Sequence, residues 1–209
     1  MAGQLRRIIE SQKPHLHEYA RQLLKRAVDQ HGEDSAEYRG VYNQYFRVPE
    51  GLPGRAANTR HFEATMSGEY PFGLERLYRR VVVIDLLTAC ASECVFCVRG
   101  LYDRYTLSSS QVQNVCRYLA ADPYLEEVLI TGGDPLIAPV KLRELVDLIV
   151  MEAPNIRTVR IGTRLPVQNP LGMRQQAFKF FEDYNRQLLF EISRRIQVII
   201  PTRHPPSNR

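Results

Sequence analysis

The sequence predicts an α/β fold, a partial (open) βα barrel with an N-terminal helical extension, and three observations carry that reading. From about residue 80 short β-branched runs alternate with segments of helical period, the pattern of βα units and a parallel sheet. Only four such strands follow, too few to close an eight-stranded barrel. Ahead of them the apolar residues recur at helical spacing instead. The expected boundaries are residues 1–75 for the helical extension and its linker, and 76–209 for the partial barrel.

In the extension, Leu16, Ala20, Leu23, Leu24 and Ala27 share one face of a helix that begins after Pro14 and stops at Gly32. A second helical piece is expected from about Ser35 to Phe46, ending before Pro49; Gly51, Pro53, Gly54 and Asn58 then mark irregular chain. The first strand is Val81 to Leu87. Asp85 interrupts its apolar run, and a buried carboxylate needs a partner, so Asp85 is expected to face the barrel lumen.

After the next loop, Ser108 and Gln111 stand at capping-box spacing ahead of a helix with Val112, Val115, Cys116 and Leu119 on one face. Cys116 is therefore read as a small core residue. The second strand is Glu127 to Thr131, followed by Gly132-Gly-Asp-Pro135 and a helix burying Leu142, Leu145, Val146 and Ile149. The third strand is Thr158 to Gly162. A long helix with Phe178, Phe181, Leu188, Leu189 and Ile192 leads to a fourth strand, Ile196 to Ile200.

Composition narrows the function. Across 209 residues, 44% hydrophobic and 24% charged residues are ordinary for a soluble globular chain. The N-terminus has no apolar signal region, and no run approaches the ~18 residues of a membrane span, so a cytoplasmic protein is expected. The net charge of +5 comes from arginine, since Lys13, Lys25, Lys141 and Lys179 are the only lysines. The arginines are scattered among acids without an aromatic-interleaved stripe, which argues for a solvated surface rather than a nucleic-acid interface.

The chemistry concentrates in Cys90-Ala-Ser-Glu-Cys94-Val-Phe-Cys97, directly after the first strand. In a chain without secretory features, a tight trio with one distant thiol reads as metal binding rather than disulfides. A [4Fe-4S] cube has four irons that each need an outer ligand, so three cysteinates leave one iron open. Zinc is the alternative, but it takes four ligands and no histidine lies near the loop. After the second strand, Gly132 and Gly133 let backbone groups approach a ligand closely, and Asp134 adds a carboxylate that can accept from an ammonium. This turn lacks the Gly-x-Gly-x-x-Gly pattern of a dinucleotide site.

The Cys-x3-Cys-x2-Cys loop resembles the signature of radical S-adenosylmethionine (SAM) enzymes, and Gly132-Gly-Asp-Pro-Leu136 with Arg160-Ile-Gly-Thr-Arg-Leu-Pro-Val167 resembles blocks of the lysine 2,3-aminomutase family in family order. The likeness covers about residues 70–170, with a weaker echo in residues 196–205. It implies a radical SAM partial barrel in which Cys90, Cys94 and Cys97 hold a [4Fe-4S] cluster. It further implies that Gly132, Gly133, Asp134 and Arg164 bind SAM, and that Arg99 grips the carboxylate of a lysine-like amino acid. The implied reaction is amino migration started by a 5′-deoxyadenosyl radical, with a reductant such as flavodoxin or ferredoxin and room for a homo-oligomer.

The chain also departs from the family pattern. Phe96 stands where the family has histidine, and Gly100 interrupts its arginine run. The family uses pyridoxal phosphate (PLP) on a lysine in a C-terminal segment that this chain is not expected to reach, and all four lysines fall on expected helices. The alternatives are therefore a truncated or diverged cluster- and SAM-binding protein without amino migration, or a radical SAM enzyme with another substrate. The residue that performs the substrate chemistry is not identified by the sequence.

Overall fold

The computed structural model describes residues 16–46, 70–76, 78–94, 97, 105–170, 173, 179, 181–184 and 195–199. The fold is mixed α/β. Five strands form one sheet in the sequential order β1-β2-β3-β4-β5: β1 (Leu74–Glu75), β2 (Val81–Leu87), β3 (Glu127–Gly132), β4 (Thr158–Gly162) and β5 (Arg195–Ile199). The last four run parallel, and β1 adds an antiparallel edge with Leu74 opposite Ile84. This two-residue edge strand falls within the expected linker; it is too short to show a period-2 pattern, so nothing in the sequence marks it.

Around the sheet stand α1 (Glu18–His31), α2 (Ala36–Tyr42), α3 (Ser109–Ala121), α4 (Pro139–Glu152) and the single turn α5 (Leu165–Gln168). α3 starts on the expected capping box: Ser108 Oγ accepts from the Gln111 amide, and the Gln111 side chain accepts from the Ser108 amide at 2.8 Å. α2 is shorter than expected, because residues 43–46 form turns rather than helix. Of the long helix expected before β5, residues 179 and 181–184 are helical, while Phe178, Leu188, Leu189 and Ile192 lie outside the described residues.

Alternation along the strands decides what lies on each face. Val82, Ile84 and Leu86 of β2, Val128 and Ile130 of β3, and Val159 and Ile161 of β4 are almost fully buried. They share one core cluster with Val112, Val115, Cys116 and Leu119 of α3 and Leu142, Leu145, Val146 and Ile149 of α4. Each such side chain contributes roughly 1.5–3 kcal/mol on burial. On the opposite face Val83, Leu129, Thr131 and Arg160 are partly exposed, Arg160 pairs with Glu127 at 2.8 Å, and Asp85 is fully buried. Asp85 thus lies on the sheet face opposite α3 and α4.

The N-terminal helices form a separate small cluster of Leu16, Ala20 and Tyr45, with Leu24, Val41 and Phe46 against it. Leu16, expected on the first helix, packs just ahead of it. α1 is capped at its start by His17, whose Nδ1 accepts from the Tyr19 amide, and it ends at Gly32 in the left-handed region (φ 82°).

Candidate functional site

The site is assembled where three parallel strands end. The chain leaving β2 becomes the cysteine loop, the chain leaving β3 is the glycine turn, and Thr163 with Arg164 follows β4. Parallel α/β sheets present their ligand sites along this edge, because every βα loop emerges there.

The glycine turn is seated on the cysteine loop by backbone contacts. The Gly133 amide donates to the Leu87 carbonyl, and the Asp134 amide donates to the Ala89 carbonyl at 2.8 Å. Gly132 has φ +111°, a conformation that side chains other than glycine's rarely adopt. A Cβ at Gly133 would land on the Ala89 carbonyl. Both glycines are therefore needed for two βα loops to touch, which is a structural reason for residues that the sequence marks only as permitting close approach.

Asp134 is 2% exposed and closes the turn from the other side. Its Oδ1 accepts from the Thr163 hydroxyl at 2.7 Å and the Leu136 amide at 3.1 Å, and its Oδ2 accepts from the Arg164 amide at 2.7 Å. Burial pushes the carboxyl above its ordinary range, against these hydrogen bonds, which favour the ionised form. The expected ammonium acceptor is thus already engaged as a clasp between the turns after β3 and β4.

Arg164 reaches back from the turn after β4. Its Nη1 donates to Cys94 Sγ at 2.8 Å and its Nη2 to Gln44 Oε1 at 2.8 Å. The guanidinium thus joins the cysteine loop to the N-terminal segment.

Cys94 is buried, and Cys90 and Cys97 are half-buried. Burial pushes the Cys90 thiol far up, and the neighbouring Cys97, Asp134, Cys94 and Glu93 add to the effect. Burial raises Cys94 as well, opposed by Arg164 and by the Gln168 amide. A metal takes the thiolate, so binding one here would have to displace these protons. Among the described residues no three His, Cys, Asp or Glu side chains converge on a single-ion site. Three cysteines on one loop are the donor set that a [4Fe-4S] cube would take, one thiolate on each of three irons. Cys116 lies on the core face of α3 with 0% exposure, and burial pushes its thiol up to about 12.

Several contributors carried no sequence signal. Ser92, 0% exposed, accepts on Oγ from the His17 amide at 2.9 Å. Gln168, 1% exposed, binds the Ser92 backbone and Cys94. Thr163 and Arg164 belong to a block singled out in the sequence, but Ser92, Gln44 and Gln168 are lone polar residues whose use depends on packing. Arg99 and Phe96, and the residues 200–205 of the weaker echo, lie outside the described residues. Of the lysines, Lys25 is exposed on α1 and Lys179 is exposed on a helical residue. Lys141 on α4 donates to Glu144 at 2.6 Å and Ser109 at 3.2 Å.

The thiol loop, the glycine turn and Arg164 lie along the edge where α/β proteins with parallel strands place their ligand sites. No family model matches the chain, but curated proteins do. The L-lysine 2,3-aminomutase of Haemophilus influenzae is 37% identical over 97 residues, 44% of this chain and 28% of that protein. The Escherichia coli (strain K12) L-lysine 2,3-aminomutase is 32% identical over 121 residues, 56% and 35% of the two chains. That of Acetoanaerobium sticklandii is 25% identical over 135 residues, 63% and 33%. Over this stretch the chain is thus similar to L-lysine 2,3-aminomutases. It spans about a third of the length of these relatives.

Proposed function

We propose that this chain is a radical SAM enzyme of aminomutase type. Cys90, Cys94 and Cys97 hold a [4Fe-4S] cluster, Gly132, Gly133 and Asp134 place SAM beside it, and Arg99 orients the carboxylate of a lysine-like amino acid. The observation that carries this reading is the docking of the Gly133 and Asp134 amides on the carbonyls of Leu87 and Ala89, which seats the glycine turn on the residues that lead into Cys90. When bound, cluster and SAM supply a 5′-deoxyadenosyl radical that takes hydrogen from the substrate. The chain's own part is to hold three thiolates on one loop, fix the turn through the Asp134 clasp, and keep Cys94 away from water beneath Tyr45 and Arg164.

The architecture proposed is an open, partial radical SAM barrel. It is supported by the sequential strand order and by a core cluster in which α3 and α4 cover the face opposite Val83, Leu129 and Arg160. Among the described residues no helix is long and apolar enough to cross a membrane. We place the protein in the cytoplasm, with flavodoxin or ferredoxin as electron donor.

PLP does not fit the described lysines: Lys25, Lys141 and Lys179 all lie on helices rather than at strand ends, so no step through PLP is derived. This favours a second reading, a cluster- and SAM-binding protein that cleaves SAM without amino migration. Anaerobic reconstitution with iron and sulfide, followed by SAM and dithionite, tests both. Release of 5′-deoxyadenosine with a β-amino acid from lysine supports the first reading; release without amino migration supports the second; a chain that takes up no iron overturns both.

A further inference from the structure

We infer that Gln168 is a positioning residue for the Cys94 corner of the cluster site: its buried side-chain amide fixes the cysteine loop and donates a hydrogen bond that stabilises negative charge on the Cys94 sulfur. The inference rests on the proposal that Cys94 ligates a cluster. Gln168 is 1% exposed at the end of α5. An amide so placed costs several kcal/mol unless its hydrogen-bonding groups are met, and each is met by one short stretch of chain. Nε2 has two hydrogens, one donated to the Ser92 carbonyl at 2.7 Å and one to Cys94 Sγ at 3.2 Å. Oε1 accepts from the Ser92 amide at 3.3 Å. The side chain thus pairs with both backbone groups of Ser92 as a neighbouring β-strand would, and reaches two residues further to the sulfur.

That reach has an electronic consequence. An N–H donor binds an anionic sulfur more strongly than a neutral one, and reduction of a cluster raises the negative charge its thiolates share. Hydrogen bonds to the sulfurs are accordingly among the means by which a protein sets a cluster's reduction potential. Arg164 Nη1 approaches the same sulfur at 2.8 Å, so Cys94 carries two N–H donors, one charged and one neutral. Gln168 differs from Arg164 in that its other hydrogen bonds go to the loop itself, so one residue both shapes the loop and tunes it.

The test is Gln168→Met, which keeps the length and apolar bulk but has no N–H, on the full chain reconstituted with iron and sulfide. Iron content and visible absorbance come first, and wild-type protein without iron overturns the cluster proposal itself. Given a loaded wild type, the variant is expected to keep its cluster with a midpoint potential lower by about 59 mV, tenfold in the one-electron reduction equilibrium. An unchanged potential overturns the inference. A measurement needing no substitution guards against a variant that fails to fold. In wild-type protein labelled with 15N in its glutamine side chains, pulsed EPR of the reduced cluster should show a 15N coupling, and its absence overturns the donor role.

Discussion

Arg164 Nη1 lies 2.8 Å from Cys94 Sγ while Nη2 of the same guanidinium lies 2.8 Å from Gln44 Oε1. One planar cation therefore ties the turn after β4, the cysteine loop and the N-terminal segment together. Lysine keeps the charge but has no fork to span two acceptors. A lost hydrogen bond to a charged group is worth about 1.5–3 kcal/mol, so Arg164→Lys should speed amide hydrogen exchange at Tyr45 and Phe46 by at least about tenfold. Exchange as slow as in the parent chain would show that the fork does not hold this segment.

The cysteines should separate cleanly by role. Reconstituted protein is expected to carry about four irons per chain, as one cube requires. Cys94→Ala should lose most of that iron, whereas Cys116→Ala should keep it, because Cys116 is packed among Val112, Val115 and Leu119 on α3. Iron lost from the Cys116 variant and retained by the Cys94 variant would reverse the assignment.

Asp134→Ala removes the acceptor of three hydrogen bonds and leaves the Thr163 hydroxyl and the Arg164 amide without it. Each buried group left unsatisfied costs about 1–3 kcal/mol, so the variant should melt at lower temperature. SAM affinity should fall as the turn loosens, with iron content preserved. Equilibrium dialysis showing parental SAM binding would remove Asp134 from the SAM site.

Cys116 makes stability depend on alkaline pH in a definite direction. In the unfolded chain its thiol titrates near 9.0, and burial in the fold pushes it up to about 12. Between those values the unfolded chain releases a proton that the folded chain retains, so this thiol's contribution is complete below pH 9 and is lost as pH rises toward 12. The slope is at most about 1.4 kcal/mol per pH unit. Denaturant melts of the parent and of Cys116→Ala above pH 9 should diverge in slope by that sign; parallel slopes would disprove the effect.

The sequence by itself determined the elements whose signal is local. Six β-branched or apolar positions out of seven mark Val81–Leu87, a reciprocal cap marks the start of α3, and Thr158–Gly162 is bounded as expected. It also picked out the cysteine loop, where three thiols fall within eight residues, and the glycine turn, where paired glycines after a strand permit close backbone approach. Local signals of this kind survive because hydrogen-bonding period, side-chain entropy and ligand spacing act over a few residues. Tertiary structure alone decided what those residues touch. Asp134 is a clasp because β3 and β4 lie side by side in parallel register. Arg164 reaches Cys94, 70 residues away in sequence, because both loops leave the same sheet edge. Gln168 and Ser92 meet across 76 residues for the same reason: a lone polar side chain has no period, and only the packing around it sets which partner satisfies it.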